Sequence, residues 1–232
     1  MIDLKSVSYE TNSRELFSDV SFAINAGDKI GLVGPNGAGK TTLLKIINGD
    51  IQPTSGDIIS GGEEIGILPQ NLNKWLDKTV YDFIEEVTGV KSAREEFDYQ
   101  CERLTQEASK KTLLVYGEAL ERYEKFEVAN FDTTIKKALS RADLGDINPD
   151  RCGGQRTRIA LAAVFASRYD LILLDEPTNN LDDSGVILLE DFIDNSPASF
   201  LIVSHDRHFL RNSAERIIEL TGGKGMNKYN LG

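Results

Sequence analysis

The 232 residues are 40% hydrophobic and 27% charged, the balance of a soluble globular chain that forms one large domain or two small ones. No apolar run approaches the roughly 18 residues of a membrane-spanning helix, and "MIDLKSVSYE" has neither the basic nor the apolar part of a secretory leader. A net charge of -11 excludes a surface given over as a whole to nucleic acid, and two cysteines without metal spacing, Cys101 and Cys152, suit a reducing, cytoplasmic setting.

The first 33 residues read as strands: "IDLKSVSY", "DVSFAI" and "KIGLV", the last nearly continuous in apolar residues, as in a strand buried on both faces. A helix is expected over 41–48, with Gly49 as its stop. "EIGILPQ" is a further strand ending in Pro69 and Gln70. From 79 to about 140 the pattern becomes helical and heavily charged. Phe97, Cys101, Leu104 and Ala108 form one stripe, and Leu113, Tyr116, Leu120 and Tyr123 a second, on either side of the polar "ASKKT". That arrangement predicts a helical hairpin over 91–128. After Arg156 the α/β pattern resumes, with "LILLD" and "FLIVS" as two more buried strands. The expected organisation is one domain over 1–232, with an α/β core of 1–78 and 153–232 and a helical part over 79–152.

Residues 34–42, "GPNGAGKTT", fit the spacing G-x-x-x-x-G-K-[ST] without a mismatch. Gly34, Gly37 and Gly39 allow a tight turn in which backbone N–H groups converge on phosphate oxygens. Pro35, Asn36 and Ala38 complete the loop, and the start of the next helix, with Thr42, adds partial positive charge there. Lys40 would reach β- and γ-phosphates, and the Thr41 hydroxyl would bind Mg²⁺. In "LILLDEP", Asp175 closes a buried strand at the end where ligands collect in parallel sheets, and so can hold Mg²⁺ through water. Glu176 follows, placed to polarise a water for in-line attack on a γ-phosphate. His205, in "IVSHDR", ends another buried strand and is read as a γ-phosphate contact, while His208 is assigned to the surface.

Together these motifs resemble the ATP-binding cassette proteins. Five elements occur in order over nearly the whole chain: "GPNGAGKT", Gln70 in "ILPQ", "CGGQR", "LILLDEPTNNLD" and "SHDR". The resemblance implies an α/β P-loop nucleotide-binding fold with a mixed core sheet, an N-terminal antiparallel β part and a helical subdomain. It implies ATP and Mg²⁺ as ligands, Tyr9 as the aromatic that stacks on adenine, and Gln70 in the Mg²⁺ shell. It also implies that Cys152, Gly153, Gly154, Gln155 and Asp182 face a second cassette, in the same chain or in a second copy. Complete sites would then form only on pairing.

"DEPTNNLD" and "SHDRHFL" further resemble the ABC-F group, soluble two-cassette proteins that act on the ribosome in translation or in antibiotic resistance. On that resemblance the 91–128 hairpin is the arm, the ribosome and its RNA are partners, and Lys110 and Lys111 are candidate phosphate contacts. "IIELTGGKGMNKYNLG" resembles the strand pair closing a first cassette, so the chain is expected to be an N-terminal cassette or a single-cassette relative. Two features depart from the family. Arg151 and Cys152 replace its Leu-Ser before "GGQ", putting a weak thiol donor where a hydroxyl is usual, and the approach from "LGDINPD" is short. Two other readings stay open: the ATPase subunit of a membrane transporter, and a nucleotide sensor with little turnover.

Overall fold

The computed structural model describes residues 1–11, 14–68, 79–144, 156–179, 181–223 and 225–230. The three apolar runs become the strands Lys29–Val33 (β3), Leu171–Asp175 (β6) and Ser199–Val203 (β7), buried along their length except at Val33. Burial on both faces is why they read as unbroken apolar stretches and not as alternating ones. They lie inside a six-stranded sheet of order β5-β6-β7-β3-β8-β9, completed by Ile65–Leu68 (β5), Arg216–Leu220 (β8) and Met226–Asn230 (β9). Every pairing is parallel except β8 with β9, so the core sheet is mixed.

Helices Lys40–Ile47 (α1), Asp183–Asn195 (α7) and Arg207–Ser213 (α8) follow β3, β6 and β7 in the chain. The carboxyl ends of these three strands therefore carry the connections that build a ligand site in an open α/β sheet.

A second, antiparallel sheet of order β2-β1-β4 comprises Ile2–Thr11 (β1), Arg14–Ile24 (β2) and Ser55–Ser60 (β4). Its inward residues, including Leu4, Val7, Phe17, Val20 and Phe22, share one buried cluster with Ile30, Leu43, Leu44 and Leu173. Strand β4 is not anticipated by the sequence, because "SGDIIS" keeps no residue fully buried and so shows no apolar pattern.

The chain divides into two compact units, Met1–Gln70 with Tyr169–Gly232, and Asn71–Arg168. The second holds Val80–Val87 (α2), Val90–Gln106 (α3), Lys110–Lys125 (α4), a 3-10 turn at Val128–Asn130, Phe131–Arg141 (α5) and Arg156–Ala166 (α6). The break between α3 and α4 is a capping box: the Ser109 hydroxyl accepts from the Thr112 N–H, and Thr112 Oγ1 accepts from the Ser109 N–H. The Phe97 ring lies 5.7 Å from Tyr116 and 4.5 Å from Tyr123. Two members of the expected stripes fall elsewhere. Ala108 lies beyond the end of α3, and Leu113 is 55% exposed while Thr112, held by its capping bonds, is the buried residue of that turn. Among the described residues, no helix is long and apolar enough to cross a membrane.

Candidate functional site

At the end of β3 the chain turns through Gly34, at φ 150°, and enters α1 from Gly39, at φ 93°. Both positions are closed to a side chain. A β-carbon on Gly39 would stand 2.7 Å from a ring carbon of Phe17, and one on Gly34 would stand 2.4 Å from the Leu220 carbonyl oxygen. The loop is thus clamped between β2 and the end of β8, in a backbone conformation that glycine reaches without strain. Gly39 is the N-cap of α1 and brings no side chain to its first-turn N–H groups, which leaves them open to an anion. Lys40 is buried, and its Nζ donates to the carbonyls of Gly34 at 2.8 Å and Pro35 at 3.2 Å.

The next residue reaches across to β6. Thr41 Oγ1 donates to Asp175 Oδ2 at 2.7 Å, and Asp175 is itself buried at the strand end. Glu176 then takes a left-handed conformation, φ 50°, with its N–H donating to the Val203 carbonyl at 2.8 Å. In a continuing strand, consecutive side chains would point to opposite faces. This turn brings the carboxylates of Asp175 and Glu176 to one cleft, at the cost of strain that non-glycine residues accept mainly at functional sites.

Glu176 is 13% exposed and His205 59%. Glu176 Oε2 accepts from the His205 backbone N–H at 3.3 Å, and His205 Nε2 lies 3.5 Å from Oε1. Oε1 is buried and has no hydrogen-bond partner among the described residues.

The cleft has a volume of about 430 Å³. Of the residues expected from the sequence, Asn36, Gly37, Gly39, Lys40, Thr41, Thr42, Asp175, Glu176 and His205 line it. Gly34 and Pro35 bind Lys40 through their carbonyls, and Ala38 is buried. Tyr9 does not line the cleft: it is half-buried against the core, its ring 6.4 Å from that of Phe17. Asp182 is the N-cap of α7, with Oδ1 accepting from the Gly185 N–H at 2.9 Å. His208 is exposed, its Nδ1 3.4 Å from the Asn212 amide. Gln70 and the turn Cys152, Gly153, Gly154 and Gln155 lie outside the described residues.

Three further residues, Leu16, Asn179 and Val203, complete the wall. Leu16 and Phe17 form an apolar pair that extends β2 ahead of "DVSFAI", and that pair is the signal that could have placed them at the site.

The residues present fit a bound nucleotide and a divalent cation. Two glycines hold the loop where a β-carbon would clash. A hydroxyl and a carboxylate stand side by side as hard oxygen donors of the kind Mg²⁺ takes. A phosphate loop on β3, with an acidic pair two strands away on β6, defines the site of a P-loop nucleoside triphosphatase.

The family model described as "ABC transporter" matches residues 17–179. The chain belongs to this ABC family, as an ATP-binding cassette of the ABC-F type. It is 35% identical over 244 residues to the tylosin resistance ATP-binding protein TlrC of Streptomyces fradiae, an alignment that covers 100% of the chain and 44% of that protein. It is 34% identical over 226 residues to the energy-dependent translational throttle protein EttA of Mycobacterium tuberculosis, covering 95% of the chain and 40% of that protein. The chain thus spans less than half the length of these relatives. Among solved structures, it matches the dimeric post-hydrolysis state of the ATP-binding cassette MJ0796, bound to ADP and Pi. The TM-score is 0.67 at 23% identity, with 100% of the chain and 99% of that cassette covered, a likeness of fold.

Proposed function

We propose that the chain binds MgATP in this cleft and hydrolyses it as one cassette of a pair acting on the ribosome. The single observation that carries the catalytic part is the cluster of Thr41, Asp175 and Glu176, with two carboxylates turned to the mouth of the phosphate loop.

Lys40 exchanges its loop carbonyls for β- and γ-phosphate oxygens, and the N–H groups of 37–42 bind the same tail. Thr41 would hold Mg²⁺ through its hydroxyl and Asp175 through water, and Gln70 is assigned to the same shell. Bound there, Mg²⁺ would supply positive charge against the phosphates. The unpartnered Oε1 of Glu176 accepts a hydrogen bond from the attacking water and then its proton. His205, exposed beside it, reaches the γ-phosphate. On the base side, Tyr9 is the proposed aromatic, resting on Phe17, which in turn abuts Gly39.

The turn 152–155 and Asp182 are assigned to a second cassette's nucleotide, in the same protein or in a second copy. The MJ0796 cassette, a dimer with ADP and Pi, supports that assignment by its fold. The names of TlrC and EttA, a tylosin resistance protein and a translational throttle, support a ribosomal role in the cytoplasm. In this reading the core is 1–78 with 153–232, the helical part is 79–152, and the 91–128 hairpin is the arm that meets ribosomal RNA.

Steady-state ATP hydrolysis measured against protein concentration tests the pairing. The rate per chain should rise with concentration, because each site lacks its partner's half when dilute. A fast rate independent of concentration would make one cassette a complete enzyme. Sedimentation with ribosomes in MgATP tests the partner, and absence from the ribosomal pellet would remove that assignment.

A further inference from the structure

We propose that Arg14 is a second cationic clamp on the nucleotide's phosphates, acting from the β2 side of the cleft where Lys40 acts from the helix side. The proposal rests on the nucleotide reading of this cleft.

The register of β1 against β2 shifts three times, the last of them beside the phosphate loop. Tyr9 pairs with Phe17 while Glu10 pairs with Glu15, which leaves Leu16 as the extra residue of a β-bulge. A bulge bends its strand and re-aims side chains, and here two consecutive side chains converge on one glycine. The Cβ of Leu16 and the ring of Phe17 lie 3.3 and 2.7 Å from where a β-carbon on Gly39 would stand. The start of β2 is thereby drawn along the phosphate loop, and Leu16 lines the cleft.

Arg14 is the first residue of that strand. Its Nη1 lies 3.9 Å from where a side chain on Gly37 would begin, and Gly37 stands in the middle of the phosphate loop. The side chain is exposed, and no carboxylate pairs with it among the described residues, although the chain carries 37 Asp and Glu against 26 Lys and Arg. The cleft holds two carboxylates, Asp175 and Glu176, and one buried cation, Lys40. A polyphosphate entering it gains from a further cation, and the planar guanidinium fork suits two phosphate oxygens at once.

The test compares dissociation constants for MgATP and for inorganic tripolyphosphate with Mg²⁺, which has the charge and no base or sugar. Arg14→Ala should weaken both by the same factor, about fivefold at low salt and less at high salt. Arg14→Lys, which keeps the charge, should recover part of the loss for both. The thermal midpoint without nucleotide should stay where it is, since the side chain is solvated. Loss for MgATP alone would move the contact to the base or ribose and overturn the proposal, and so would unchanged constants for both ligands. If the unsubstituted chain bound neither ligand, the nucleotide reading itself would fall, and this clamp with it.

Discussion

Thr41 and Asp175 are 134 positions apart in the chain and are joined by a 2.7 Å hydrogen bond from the hydroxyl to Oδ2. The bond ties the first turn of α1 to the last residue of β6, so that a hydroxyl and a carboxylate meet where neither element alone could place them.

Asp175→Asn keeps an acceptor of the same shape for Thr41 and removes the negative charge. ATP affinity in EDTA should change little, while the gain on adding Mg²⁺ should disappear. Hydrolysis should fall on the order of 10²–10³-fold, the usual cost of one preorganised electrostatic contact. Titration of ATP with and without Mg²⁺ checks it, and an unaltered Mg²⁺ dependence would put the metal elsewhere.

Lys40 is already desolvated and held by two loop carbonyls, so turning it to phosphate exchanges one set of hydrogen bonds for a stronger, charge-assisted one. Lys40→Ala should weaken ATP by about 3 kcal/mol, the upper range for bonds to charged groups. Calorimetry would then detect little binding at micromolar protein. Unchanged affinity would mean that the loop does not hold phosphate.

Glu176→Gln preserves the bond from the His205 N–H to the side chain and removes the base. Binding of ATP should persist, while single-turnover hydrolysis slows by about 10²–10⁴-fold, the span ascribed to a positioned acid or base. Normal single-turnover rates in the variant would assign the proton to another group.

The core of this fold was legible because burial on both faces leaves a signature. "KIGLV", "LILLD" and "FLIVS" are apolar throughout, and each became a central strand. The phosphate loop was legible because glycine spacing and Lys-Thr are set by local geometry. What could not be read depends on register and long-range packing. The bulge at Leu16 is a property of β1 against β2, and the left-handed turn at Glu176 requires the Val203 carbonyl from another strand. Leu113 fell on the apolar stripe by spacing, yet it is exposed while Thr112, which makes the capping bonds, is buried.

The helical unit offers an independent check on its own packing. Tyr81 in α2 hydrogen-bonds Asp132 at the start of α5, and its ring meets Phe131 edge-on at 5.7 Å. Burial, and after it the bond to a negative carboxylate, push the phenol up from its ordinary 10.0 to about 12. Between these values the folded chain keeps a proton that the unfolded chain has lost, so the stability this group contributes is complete below pH 10 and is lost as pH rises toward 12. Tyr81→Phe should cost about 1 kcal/mol near neutral pH for the missing hydrogen bond. It should also flatten the fall in the unfolding midpoint above pH 10 relative to the unsubstituted chain. Tyrosinate absorbance, as the difference between the two proteins, should show one phenol titrating near the top of the range. A midpoint that falls with pH equally in both proteins, and a difference spectrum centred at the ordinary value, would mean that the α2–α5 contact is not formed in solution.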